Sequence, residues 1–185
     1  MNRGSIGLKR GTVRLLPYDP DWPMYFQAEK DMLRNALGAS VLEIRHIGST
    51  AIPGMPAKPI IDILAAVKNL ADVSDFIDPL IRLGYQDKGD GSVAGRRFFV
   101  KGTEAARTHH LNFYEMNSPG WTTHIIFCEY LKSHVKVARQ YAELKEKLAR
   151  MFPTDRASYT DGKEGFVAAV AEKSAREHES LKTAL

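Results

Sequence analysis

One cysteine, Cys128, stands among the 185 residues. A single thiol excludes an internal disulfide framework and every multi-cysteine zinc site. It reads as a small buried hydrophobe on a helix, with a catalytic thiol as the lesser alternative. Long apolar runs are missing too. The longest is Phe166 to Ala171, far short of the roughly 20 residues that cross a bilayer. Residues 1–16 carry Arg3, Lys9 and Arg10 but no apolar h-region. No secretory leader is expected there, and the expected compartment is the cytoplasm. Internal repeats and low-complexity tracts are absent.

A large excess of one charge sign is also missing. Lys and Arg number 26 against 22 Asp and Glu, a net +4, with a pI of about 9.1. That excess suits an anionic ligand without requiring one. A nucleic-acid surface gathers its basic residues into a patch, whereas much of the basic charge here alternates with acids. A nucleic-acid partner is therefore not favoured, and no membrane partner is expected. The oligomeric state is left open.

What is present is an ordinary globular mixture, 44% hydrophobic and 26% charged, long enough for one domain with a sizeable core. Gly4, Gly7 and Gly11 suggest a mobile arm over residues 1–11, with a single domain over 12–185. Thr12 to Leu16 reads as an edge strand. Trp22 to Leu37 has helical spacing, with Asp19 or Asp21 placed to cap it and Gly38 to end it. Val41 to Ile47 and Ile60 to Val67 read as strands, the second apolar enough to be covered on both faces. Leu70 to Leu83 reads as a helix, with Pro79 as the candidate for a kink. Arg96 to Lys101 and Thr108 to Tyr114 read as an antiparallel hairpin. Helices follow over Trp121 to Ser133 and Val135 to Phe152. A last one, capped by Thr160 or Asp161, runs to about Leu181. The expected class is α+β, a small mixed sheet flanked by helices with a helical C-terminal part from about residue 121.

Three segments carry candidate chemistry. The loop from Gly48 to Pro59 follows a strand directly. Gly48 allows close backbone approach, Ser49 and Thr50 offer hydroxyls, and Lys58 adds a cation, a set suited to phosphate. A plain crossover loop is the alternative. Asp62 interrupts an apolar strand, where a carboxylate is costly unless paired or bound to a metal. On the strand from Thr108, His110 and Asn112 share one face. They meet Asp62 if the strands pair suitably, with His110 as general base or ligand. His46 is a further candidate for the same pocket. Arg96, Arg97, Lys101 and Arg107 bracket the hairpin and, with Lys58, are expected to form a phosphate-binding rim; a solvated edge is the alternative. His124 and His134 are expected to be structural or solvated. Glu143 to Arg150 reads as a solvated charged helix face beside the core stripe Tyr141, Leu144 and Leu148.

The run from His46 through Gly48-Ser49-Thr50 and Lys58 to Ile63 resembles the signature of the GrpB family. So do Pro17 to Pro23, His109 to Asn112, Ala142 to Lys145 and Tyr159 to Lys163. The matches follow the family's order from about residue 12 to 175. The resemblance implies a nucleotidyltransferase-like fold, and some members are fused to dephospho-CoA kinase. Nucleotidyltransferases of this type carry Gly-Ser, then a spacer, then an acidic-x-acidic pair, with a third acid on a later strand. Gly48-Ser49 and Asp62 match. Leu64 stands where the second acid belongs, and His110 and Asn112 stand near the third. Glu43 and Glu115 are possible substitutes.

The implied function is binding of a nucleotide or phosphorylated small molecule. Nucleotidyl transfer is the fuller version, with Asp62, His110 and Asn112 catalytic. Gly48, Ser49, Thr50, Lys58, Arg97 and Lys101 are then on phosphate. A divalent ion (Mg, Mn or Zn) is expected on Asp62 and His110, if any ion is bound. The alternative is a catalytically degenerate module used in partner binding or nucleotide sensing.

Overall fold

The computed structural model describes residues 6–183. A five-stranded mixed sheet forms the centre. Its strands are β1 Glu43–Ile47, β2 Ile61–Val67, β3 Tyr85–Asp87, β4 Arg97–Gly102 and β5 Arg107–Glu115, in the order β1-β2-β5-β4-β3. The central pair, β2 and β5, is parallel, and every other pair is antiparallel. The hairpin expected from residue 96 to 114 is β4–β5.

Alternation on β2 sets up two different faces. Ile61, Ile63, Ala65 and Val67 point to one face with Leu111 and Phe113 of β5. They pack on Trp22, Leu33 and Leu37 of α1 (Trp22–Leu37) and on Phe76 and Leu80. Asp62, Leu64 and Ala66 point to the other face with His110, Asn112 and Tyr114. There Leu64, Ala66, Ile47 and Tyr114 pack on Trp121 of α3 (Pro119–Ser133). Asp62 and His110 lie beyond the edge of that apolar cluster.

Cys128 of α3 is buried among Ile52, Met55, Leu131 and Tyr141. Burial pushes its thiol up, which fits the apolar role and not a catalytic one. Helix α4 (Val135–Met151) follows, then α5 (Arg156–Asp161) and α6 (Glu164–Thr183).

Several elements differ from the sequence pattern. Residues 70–83 split into a 3-10 turn, Leu70–Phe76, and a short α2, Ile77–Arg82; Pro79 lies in the first turn of α2, where its missing N–H costs little. Thr12 to Leu16 is not a strand; only a single bridge joins Leu16 to Ala57. Residues 6–11 are tied down rather than mobile. The Gly7 amide donates to the Pro59 carbonyl at 2.8 Å, and Leu8 and Arg107 exchange two backbone bonds. Residues 1–5 of the expected arm lie outside the described residues. The last helix, α6, is present but starts at Glu164; Thr160 and Asp161 do not cap it but end the short helix α5 before it, which Asp155 caps by accepting from the Ser158 amide. No helix among the described residues is long and apolar enough to cross a membrane.

Candidate functional site

The site begins where β1 turns into the loop before β2. Gly48 has φ +69°, and a Cβ there would stand 2.6 Å from Asp62 Oδ2. Only glycine meets both conditions, the left-handed backbone and the contact with the carboxylate. The chain then makes a 3-10 turn over Ser49–Ala51. Lys145 of α4 reaches across to hold the loop at two points. Its Nζ donates to Ser49 Oγ at 2.9 Å and also to the Pro56 carbonyl.

Asp62 of β2 and His110 of β5 are register partners. Their side chains join through His110 Nδ1 and Asp62 Oδ1 at 2.8 Å. Burial pushes the Asp62 carboxyl up. The His110 bond and the nearby Lys58 and Lys163 more than offset this, and it ends below the ordinary carboxylate value. Burial lowers His110, the Asp62 bond opposes, and Arg156 and Lys58 lower it again. At neutral pH the pair is therefore a carboxylate beside a neutral imidazole. Nδ1–H then donates to the carboxylate and Nε2 keeps its lone pair. The Arg156 guanidinium lies 3.5 Å from Nε2.

The pair opens into a cavity of about 310 Å³ between the sheet and the C-terminal helices. Four cationic side chains line it: Lys58, Lys145, Arg156 and Lys163. None forms an ion pair among the described residues. Three of them rest on aromatic rings instead. Lys58 and Lys163 lie 5.1 and 4.7 Å from the Tyr159 ring centre, and Lys145 lies 4.9 Å from that of Tyr141. A ring face returns about 1 kcal/mol to a cation, far less than burial takes away. Burial accordingly lowers Lys58 to about 7, helped by Arg156 and Lys163. Lys145 also falls to about 7, through burial and then Lys163 and Lys58.

Of the residues expected at the site, Gly48, Ser49, Thr50, Lys58, Asp62 and His110 line this cavity together. Arg97 and Lys101 do not. They are register partners of Phe113 and His109 and so belong to the opposite face. Arg97 is tied to Asp87 and Lys101 to Glu29. Asn112 shares the face but sits one step further along. Its amide donates to the Ile63 carbonyl at 3.2 Å and its oxygen accepts from Arg96. It does not orient His110; Asp62 does. His46 also faces away from the cavity, stacked on Phe26 and sharing a 2.9 Å bond with Thr50 Oγ1. Glu43 pairs with Arg45, and Glu115 accepts from the Leu70 amide. His124 does line the cavity, whereas His134 stacks on Tyr130 at the end of α3.

Lys145, Arg156 and Lys163 escaped the residue-by-residue reading. Lys145 looked like one more charge on a solvated helix, yet it is 1% exposed. Its spacing held the signal, since Tyr141, Lys145 and Leu148 fall on one helical stripe. Lys163 had no local signal beyond its place in the family-like segment, and Arg156 had none.

The donors present do not fit a divalent ion. Asp62 is the sole carboxylate lining the cavity, and His110 Nδ1 is already committed to it. Among the described residues no three His, Cys, Asp or Glu side chains gather as a metal set. Leu64, at the place of a second acid, is fully buried against Trp121. Hard divalent ions need several oxygens, and the other charged side chains lining the cavity are cations.

Comparison with known proteins agrees with this architecture. UPF0157 protein YqkA of Bacillus subtilis is 39% identical over 164 residues, 89% of this chain and 48% of that protein. The glutamate-rich protein GrpB of Alkalihalophilus pseudofirmus is 37% identical over 166 residues, covering 88% of this chain and 95% of its own length. The chain thus spans about half of the Bacillus relative. A dephospho-CoA kinase of Mycobacterium bovis matches in part, 31% identical over 77% of this chain and 37% of the kinase. Among solved structures, GrpB from Enterococcus faecalis superposes with a TM-score of 0.82 at 31% identity, over 89% of this chain and 99% of the other. The Cid1 poly(U) polymerase bound to Mg 3′-dATP shares the fold alone, with a TM-score of 0.54 at 14% identity over 80% of this chain and 49% of Cid1. The fold is nucleotidyltransferase-like. The profile of the GrpB protein family spans residues 12–173, and with the Alkalihalophilus and Enterococcus matches this makes the chain a member of the GrpB family.

Proposed function

We propose that this chain binds a phosphate-bearing small molecule, a nucleotide foremost, in the cavity beside Gly48 and Asp62. One observation carries the reading: four cations face a single carboxylate, and none has an ionic partner among the described residues. Buried charge of one sign either sheds protons or meets a counter-charge. A phosphoryl group supplies it, with oxygens for Lys58, Lys163 and the Arg156 fork. Lys145 supports the loop that lines the same space. The cations take the charge that metal ions hold in a two-metal site, so binding proceeds without a divalent ion.

Nucleotidyl transfer is the second reading, and the Asp62–His110 pair favours it. His110 Nε2 would exchange its long contact with Arg156 for the proton of a hydroxyl attacking the α-phosphorus, Arg156 turning to the phosphate. Asp62 would steady the imidazolium so formed. Pyrophosphate would leave toward the lysines. The nucleotidyltransferase-like fold supports this reading as a fold likeness, with no substrate carried over.

The test is a thermal-shift and calorimetric screen of nucleotides in the presence of a chelator, on wild type and on Lys58→Met/Lys163→Met. Wild type is expected to be stabilised by at least one nucleotide, and the double variant to lose at least tenfold in affinity. Equal binding by the variant would remove the proposal. Binding without turnover of any nucleoside triphosphate would favour a sensing module over a transferase.

A further inference from the structure

A second, smaller cavity of about 130 Å³ adjoins the first. The two share Lys58, Ile60 and Arg156 as a common wall. The second is basic as well. Lys9, Arg10, Lys88 and Arg107 line its remaining sides over a floor that includes Phe98 and Val100. Glu104 is the one acid paired with this group. It binds Arg10 at 3.2 Å and Arg107 at 3.3 Å. Lys9 and Lys88 have no ionic partner among the described residues. Arg107 is 5% exposed, so part of this charge is held in place rather than solvated. The backbone holds it there too, through the exchange between Leu8 and Arg107. That exchange is why residues 6–11 are ordered against the sheet.

The size of the cavity sets what fits. At about 130 Å³ it has less than half the volume of the first, about 310 Å³. Its small size and basic lining suit a phosphoryl group. The larger cavity takes the rest of a ligand. We infer that the natural ligand carries two anionic groups, with a second phosphoryl group seated among Lys9, Lys88 and Arg107 while the first lies on Lys58, Arg156 and Lys163. The ligand class is therefore a small molecule phosphorylated at two places, or one bearing a polyphosphate chain. Lys58 and Arg156 stand at the junction and contact both halves. This inference rests on phosphate binding in the first cavity.

The experiment compares three probes by calorimetry: adenosine 5′-monophosphate, adenosine 3′,5′-bisphosphate and ATP. Wild type and Lys9→Ala/Lys88→Ala are measured side by side at one ionic strength. Both side chains are at the surface and outside the core, so the variant keeps its fold. In wild type, at least one multiply phosphorylated probe is expected to bind ten times more tightly than the monophosphate. The variant is expected to lose most of that margin while holding the monophosphate within twofold. An unchanged margin in the variant overturns the inference and leaves the first site standing. An equal loss for all three probes also overturns it, because the two lysines would then act as general surface charge. No binding by any probe removes both readings.

Discussion

The two faces of the central sheet carry nearly the same chemistry and use it in opposite ways. His109 and His110 are neighbours in sequence and point to opposite faces. Behind His109, Glu29 of α1 is 2% exposed. Lys101 Nζ donates to both of its carboxylate oxygens at 2.9 Å. His109 Nε2 lies 3.7 Å from the same carboxylate, and burial holds that ring at about 4, so it is neutral. One acid meets one lysine, and core side chains surround them. Behind His110, one acid meets four cations around a cavity. A buried pair that closes on itself holds elements together. A buried excess of one sign has no such closure, and that excess is the ground of the proposed phosphate binding. The count of opposing charges, not the presence of a carboxylate and a histidine, is what distinguishes the two faces.

The largest expected effect breaks the closed face. Lys101→Met leaves Glu29 buried without its partner and costs about 3–5 kcal/mol. Urea denaturation reads the loss. Nucleotide affinity is expected to stay unchanged, because Lys101 does not reach the cavity. A fall in affinity without a fall in stability would contradict the assignment of faces.

A smaller effect sharpens the open face. Lys58 and Lys145 are lowered to about 7, against an ordinary lysine value of about 10.4. Asp62, Arg156, Lys163 and Glu146 are the charges that act on them there. Both lysines are depressed in the folded state. The unfolded chain then binds more protons between these limits, and their contribution to unliganded stability rises with pH through that window. It is lost as pH falls through about 7. An anion prefers both lysines protonated, so binding takes up protons above neutrality. Calorimetry in buffers of different ionisation enthalpy is expected to show this uptake at pH 8, with affinity falling as pH rises. No uptake would mean that Lys58 is not the anion's partner and that the anion's field does not reach Lys145.

The sequence made some of this legible for clear reasons. Periodicity gave α1, α3 and α4 because each has a wide apolar stripe. The Gly48-Ser49 turn and Asp62 stood out because each breaks the pattern of a buried strand. Alternation along β5 placed His110 on the same face as Asn112. The side chosen by Arg97 and Lys101 was not legible. In β4 the residues between them, Phe98, Phe99 and Val100, are apolar on both faces, and only the register with β5 decides. The role of Lys145 was hidden by the charges around it. Arg156 and Lys163 meet the site only through the folding of α5 and α6 onto the sheet. The short β3 was missed because its three residues carry no alternation to read.

In the proposed site cations, not metal ions, take the ligand's charge. The most direct measurement is nucleotide affinity of wild type and Asp62→Asn, with and without a chelator. Chelation is expected to leave wild-type affinity unchanged. Asp62→Asn is expected to bind as tightly or more tightly, since the substitution removes the one carboxylate lining the cavity. Affinity that requires Mg²⁺ and disappears in Asp62→Asn would contradict it.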